Sequence, residues 1–314
     1  MTPLTREDIQ ILSKHSNLSD EQVAQLLEVH VHPSKLQWQK LLRILMLSLA
    51  IGFSAAGLIF FFAYNWSHLH KFAKLGIVQA LLISTVLLAL RSGFSSVVKN
   101  IFLSGASILV GALFAVFGQI YQSGANAYDF FLGWTVFTTI WVVTANFAAL
   151  WLLFLLLVNV TLNLFINQMQ SGWQALDLLF LHFGVNALAV FIAVAVGKER
   201  CPTWFLYTLA VALSSITTAG LIIGLFDENS EIFLPFFICA LALYALGVYY
   251  ANKIKNTLYI ALVALSLIFF IAALLIKNTE DLNMIFITGV FVIAAITFCV
   301  KLIIDLQKKW QHEN

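Results

Sequence analysis

The chain has 314 residues, of which 61% are hydrophobic and 10% charged, and a formal net charge of +2. Soluble domains average about 45–50% apolar and about 25% charged residues, so a water-soluble globular fold is excluded, and so small a net charge gives no footing for nucleic acid. Apolar runs of about 20 residues recur along the chain, each long enough to cross a hydrocarbon core of about 30 Å as a helix. Period-two alternation is absent, which favours helices over barrel strands.

The first 40 residues are polar and read as a short cytosolic helical hairpin. Thr5 and Asp8 suit one helix start, and Ser19 with Gln22 forms a capping box for the next. Pro33 punctuates, and a third helix is expected to run from Ser34 into the membrane. No cleavable leader precedes the first apolar run near Leu41, which is expected to act as an uncleaved signal anchor.

The all-α transmembrane bundle of residues 41–314 is expected to hold about ten spans, near 41–64, 72–90, 100–121, 129–145, 148–166, 177–197, 203–225, 231–251, 257–276 and 283–303. The weakest boundary separates the fourth and fifth, where only "TANFA" breaks the run. Charge placement tests the count. With both ends in the cytoplasm, 14 of the 17 Lys and Arg fall inside. Lys71, Lys74 and Lys277 fall outside, a strong positive-inside bias. Losing one span would carry "GKERC" and "NKIKN" to the other side. This predicts a multi-pass bacterial inner-membrane protein with cytoplasmic termini. Ten spans also permit two five-span halves of inverted topology.

The first helical span ends in Asn65 and Trp66. The third ends in Gln119, Tyr121 and Gln122, and an external turn carries Asp129. Ser107, Gly111, Ala115 and Gln119 recur every four residues, a small-residue stripe expected to turn Gln119 into a helix interface. Asn159, Asn163 and Asn167 form one stripe on the fifth span, and His182 and Asn186 are again four apart on the sixth. These groups are expected in the outer half of the membrane. Asn65, Trp66, Gln119, Tyr121, Gln122, Asp129, Asn159 and Asn163 are therefore the candidate lining of an outward-facing pocket. Amides beside aromatic faces suit a neutral or weakly cationic solute, with Asp129 the one negative group. The competing reading is that Asn, Gln and Ser are interhelical glue and that Trp and Tyr form the interfacial belt.

Catalytic and metal signals are weak. No Asp, Glu, Lys or Arg lies mid-span, which argues against a carboxylate-driven pump. No nucleophile–base set is evident, so an enzyme is not expected, and Asp177 is poorly phased with His182 on a helix. The three cysteines, Cys201, Cys239 and Cys299, show no CxxC spacing. The His30/His32 and His68/His70 pairs lack further ligands, so neither metal nor cofactor is expected. "GLIIG", with Gly220 and Gly224, reads as a packing motif, and "SSITT", Ser214 to Thr218, as hydroxyls bonding their own helix. The external acids Asp227, Glu228 and Glu231 read as a solvated loop.

Two stretches carry a resemblance. "GLIFFFAYNWSHLHKFAKLGI" and "GALFAVFGQIYQSGANAYDFFLGWTVFTTIW" resemble the bacterial predicted membrane proteins of the domain-of-unknown-function family 2157, in Asn65, Trp66, Lys74, Gln119, Tyr121, Gln122 and Trp134. The segment Leu18 to Leu27 resembles that family's cytosolic opening. The resemblance covers roughly residues 4–145 and implies a bacterial inner-membrane protein without implying an activity. Two functions follow as expectations. One is transport or binding of a small solute. The other is a non-transporting assembly or envelope-stress component whose residues 1–40 dock a cytosolic protein.

Overall fold

A computed structural model describes residues 9, 12–13, 15–16, 18–30, 35–65, 69–121, 126–169, 172–197, 201–227, 230–277 and 282–312. Among them are eleven helices: α1 Asp20–His30, α2 Lys35–Asn65, α3 Lys71–Leu90, α4 Ser96–Tyr121, α5 Ala127–Ala145, α6 Ala148–Met169, α7 Ala175–Val196, α8 Thr203–Phe226, α9 Phe233–Ile254, α10 Thr257–Lys277 and α11 Leu282–His312. Ten long helices thus coincide with the ten expected spans. The expected first helix of the hairpin, with Thr5 and Asp8, lies largely outside the described residues. The capping box at α1 is formed: Ser19 N donates to Gln22 Oε1 at 3.0 Å and Gln22 N to Ser19 Oγ at 3.4 Å.

Eight of the described helices, α3, α4 and α6 to α11, are long and apolar enough to cross a membrane. α5 falls short because Tyr128, Asp129, Trp134, Trp141 and four threonines dilute its apolar content. It manages three of those four hydroxyls locally. Thr135, Thr139 and Thr144 each donate to the carbonyl four residues back, which hides the polar group from lipid. The protein is a polytopic helical membrane protein. Its outward apolar side chains fit lipid as solvent: Phe53, Phe60, Phe191 and Phe286 are each more than two-thirds exposed.

The chain divides into two compact units, Met1–Ile120 and Tyr121–Asn314. In the first, α2, α3 and α4 meet at Gly105. A Cβ there would stand 2.8 Å from Ile51 Cγ2 and 3.8 Å from Thr85 Cγ2, so the missing side chain sets the approach of α2. Val78 of α3 and Val116 of α4 are buried against each other with Leu75, Ala112 and Leu113.

The second unit is organised around α8, which packs against α6, α7, α9 and α10. The expected GxxxG contact is formed here. A Cβ on Gly220 would lie 2.3 Å from Phe236 Cζ, and one on Gly224 would lie 2.3 Å from Phe233 Cδ2. Phe236 is fully buried and meets Phe180 and Phe183 edge-on at 5.6 and 5.4 Å, so α7, α8 and α9 share one aromatic core. Lys277, in the last turn of α10, donates through Nζ to Leu225 O at 2.7 Å. That places a cation on the negative end of α8. The C-cap of α5, Asn146, adopts a left-handed conformation with φ 42°, and its Oδ1 accepts from Trp151 Nε1 at 3.2 Å. This turn makes "TANFA" a true break between two helices.

Candidate functional site

The polar side chains of α6 and α7 converge near the centre of both helices. Each has 22 residues, about 33 Å of rise, and Asn159 and Asn186 sit close to the two midpoints. Asn159 Nδ2 donates to Leu155 O at 2.8 Å. A carbonyl can only accept, so this bond fixes the amide and turns Oδ1 toward α7. There it takes two donors, His182 Nδ1 at 2.7 Å and Asn186 Nδ2 at 2.8 Å. Asn186 Nδ2 also reaches His182 O at 2.8 Å. The imidazole therefore carries its proton on Nδ1 and presents Nε2 as an acceptor.

Two acceptors are left over. Neither His182 Nε2 nor Asn186 Oδ1 is bonded to a described residue. The site lies on a cavity of about 540 Å³ between α6, α7 and α8. Asn159, Asn163, His182, Asn186 and Thr208 supply its polar floor, and Leu152, Leu156, Leu209 and Ile216 are among its apolar walls. Thr208 Oγ1 is turned back onto Trp204 O at 2.9 Å. Asn163 is braced from the next turn, with Asn167 Nδ2 donating to its O and Oδ1 at 2.8 and 3.0 Å. The wall contains no carboxylate, Lys or Arg.

The structure divides the expected pocket residues. Asn159 and Asn163 line the cavity, joined by His182 and Asn186. Asp129 does not: its Oδ2 accepts from Asn126 N at 3.0 Å and caps α5. Asp177 does the same for α7, accepting from Gln174 N at 2.7 Å, which removes it as a partner for His182. Tyr121 is exposed at the end of α4. Trp66 and Gln122 lie outside the described residues, as does the side chain of Asn65. Gln119 departs from expectation. Ser107 and Gly111 are buried but Ala115 and Gln119 are exposed. Four-residue steps advance about 40° each on a helix of 3.6 residues per turn, so Gln119 stands about 120° away from Ser107. The stripe walks off the packed face before it reaches the glutamine. Along their helices, Asn159 and Asn186 stand near the midpoints, whereas Asn163 and Asn167 lie toward the Met169 end of α6.

A second polar cluster joins α8, α9 and α10. Ser215, Thr217 and Thr218 bond their own helix as expected, whereas Ser214 Oγ donates across to Leu262 O of α10 at 3.4 Å. In addition, Thr218 Oγ1 meets Ser266 Oγ at 2.5 Å, and Ser266 Oγ meets Tyr244 Oη. Ser266 is buried. This is a closed set of hydroxyls, each serving another, and it reads as interhelical bonding. His70 takes a capping role, its Nδ1 accepting from Phe72 N at 3.4 Å at the start of α3.

Residues 12–151 match the family described as predicted membrane protein, DUF2157. The match covers α1 to α5 and the first turn of α6, close to the stretch that carries the resemblance in sequence. Every residue around the α6–α7–α8 cavity lies beyond it. No curated protein and no solved structure matches the chain.

Proposed function

We propose that the protein binds a small uncharged solute in the cavity between α6, α7 and α8, as a membrane carrier or receptor for it. The observation that supports this reading is the pair of unused acceptors, His182 Nε2 and Asn186 Oδ1, at mid-helix in a cavity whose other lining residues are mostly apolar. An ionisable residue inside a span is costly and marks function by default. A solute hydroxyl or amide N–H would satisfy both acceptors, and its apolar body would lie along Leu152, Leu156 and Ile216. A volume of about 540 Å³ fits the range of about 300–1,000 Å³ usual for such sites. With no acid among the described lining residues, this reading favours a neutral solute over a weakly cationic one.

The reading is tested by titrating the purified protein with neutral polyols, amides and hydroxylated amphiphiles, followed by uptake into proteoliposomes. His182→Phe and Ala212→Leu are each expected to abolish binding of the solute that wild type takes, at unchanged expression. Gln119→Ala, in the other unit, is expected to leave it intact. Loss of folding in step with loss of binding in both cavity variants would instead make the cluster a helix fastener.

A further inference from the structure

A second cavity lies wholly within the first unit. It has a volume of about 710 Å³ and is formed by the N-terminal part of α2 and the start of α4. Gln39, Lys40 and Arg43 face it from α2; Phe94, Ser95 and Phe102 face it from the other side. Lys40 and Arg43 are exposed, and neither bonds or pairs with a described residue. The sequence explains why. Between Glu28 and Asp129 there are seven Lys and Arg and no acid at all. Arg91 stacks on Phe94 of this lining, its guanidinium 5.7 Å from the ring centroid.

The depth of this cavity is set by its neighbours. Lys40 immediately precedes the apolar run that opens at Leu41, and Lys99 precedes the one in α4. Trp38 is half exposed on α2, as suits a side chain at headgroup level. The polar end of the cavity is thus cationic and the other end is Leu47 and Phe102. Ser95 stands just before the first turn of α4, whose free N–H groups add partial positive charge.

We propose that this cavity holds the phosphate of an anionic phospholipid, with Lys40 and Arg43 on the headgroup and the upper acyl chain along Leu47 and Phe102. Basic pockets between helices at a membrane face are suited to such headgroups. The occupant is a lipid and not a soluble anion because seven of the twelve lining residues are apolar and the cavity sits where the apolar runs of α2 and α4 begin. The lipid would fasten the membrane end of α2 to α4, where no acid among the described residues does so.

The test uses the full-length protein in nanodiscs of phosphatidylcholine doped with phosphatidylglycerol, with retained lipid counted by native mass spectrometry. Two basic side chains at the surface give an expected preference for phosphatidylglycerol of about 30-fold. Lys40→Gln combined with Arg43→Gln should erase it, whereas Lys71→Gln, at the far end of the span, should keep it. Wild-type protein that retains both lipids equally would overturn the proposal, and that arm needs no variant. A double variant that keeps the preference would overturn it too. Displacement of the lipid by millimolar inorganic phosphate would reassign the site to a soluble anion.

Discussion

Asn159→Ala removes one acceptor that serves two donors. His182 Nδ1 and Asn186 Nδ2 reach it at 2.7 and 2.8 Å. Interhelical hydrogen bonds in membranes average roughly 0.6 kcal/mol and reach about 1.7, so two of them set the loss at about 1–3 kcal/mol. The loss is not shared equally. Asn186 Nδ2 keeps its bond to His182 O, whereas His182 Nδ1 keeps none. Most of the effect should therefore appear as coupling between positions 159 and 182. A double-mutant cycle of Asn159→Ala and His182→Ala, read by reversible unfolding in mixed micelles, is expected to give a coupling of about 0.6–1.7 kcal/mol. Nitrogen-15 NMR of labelled histidine should show the Nδ1–H tautomer in wild type and a mixture in Asn159→Ala. Additive single variants, or an Nε2–H imidazole in wild type, would refute the network and the acceptor it leaves in the cavity.

Other outcomes follow from the packing. Gly220→Ala would put a methyl 2.3 Å from a phenylalanine ring held by two others. Overpacking of this kind costs about 1–3 kcal/mol, visible as a lower melting temperature, while Gly76→Ala, with open space at its Cβ, should cost nothing. Thr138 is fully buried and its hydroxyl has no partner among the described residues. Thr138→Val, which keeps the shape and drops the hydroxyl, is expected to raise stability by about 1 kcal/mol; a lower melting point would show that the hydroxyl is bonded after all.

The long helices were legible because lipid leaves one solution for backbone polar groups, a helix of fixed minimum length. Even "TANFA" broke where expected, since Asn146 tolerates the left-handed cap that ends α5. Local chemistry was legible for a similar reason: Ser19 and Gln22 cap each other, and Ser215 and Thr217 bond the carbonyl four residues back. The site was only half legible. Period four put Asn159 and Asn163 on one face, and His182 and Asn186 on another, but spacing along two helices says nothing of whether those faces meet. That depends on the packing of α6, α7 and α8, which small residues and aromatic rings far away in sequence decide. Gln119 shows the opposite failure, a regular stripe that leaves the interface because a four-residue repeat does not match the helical turn. Asp129 looked like a ligand group because a lone acid stands out in an apolar chain; a helix start explains it.

The central claim is that the α6–α7–α8 cavity admits water and solute at mid-membrane, and thiol accessibility tests it most directly. In a background with Cys201, Cys239 and Cys299 replaced by serine, Asn163→Cys and Ala212→Cys would be treated with a membrane-impermeant methanethiosulfonate, which reacts with the thiolate and so needs water. Both are expected to react, and to be protected by the bound solute, while Phe286→Cys on the lipid face of α11 stays inert. If Ala212→Cys proves as inert as Phe286→Cys, the cavity is closed to water and the asparagines and histidine only hold helices together.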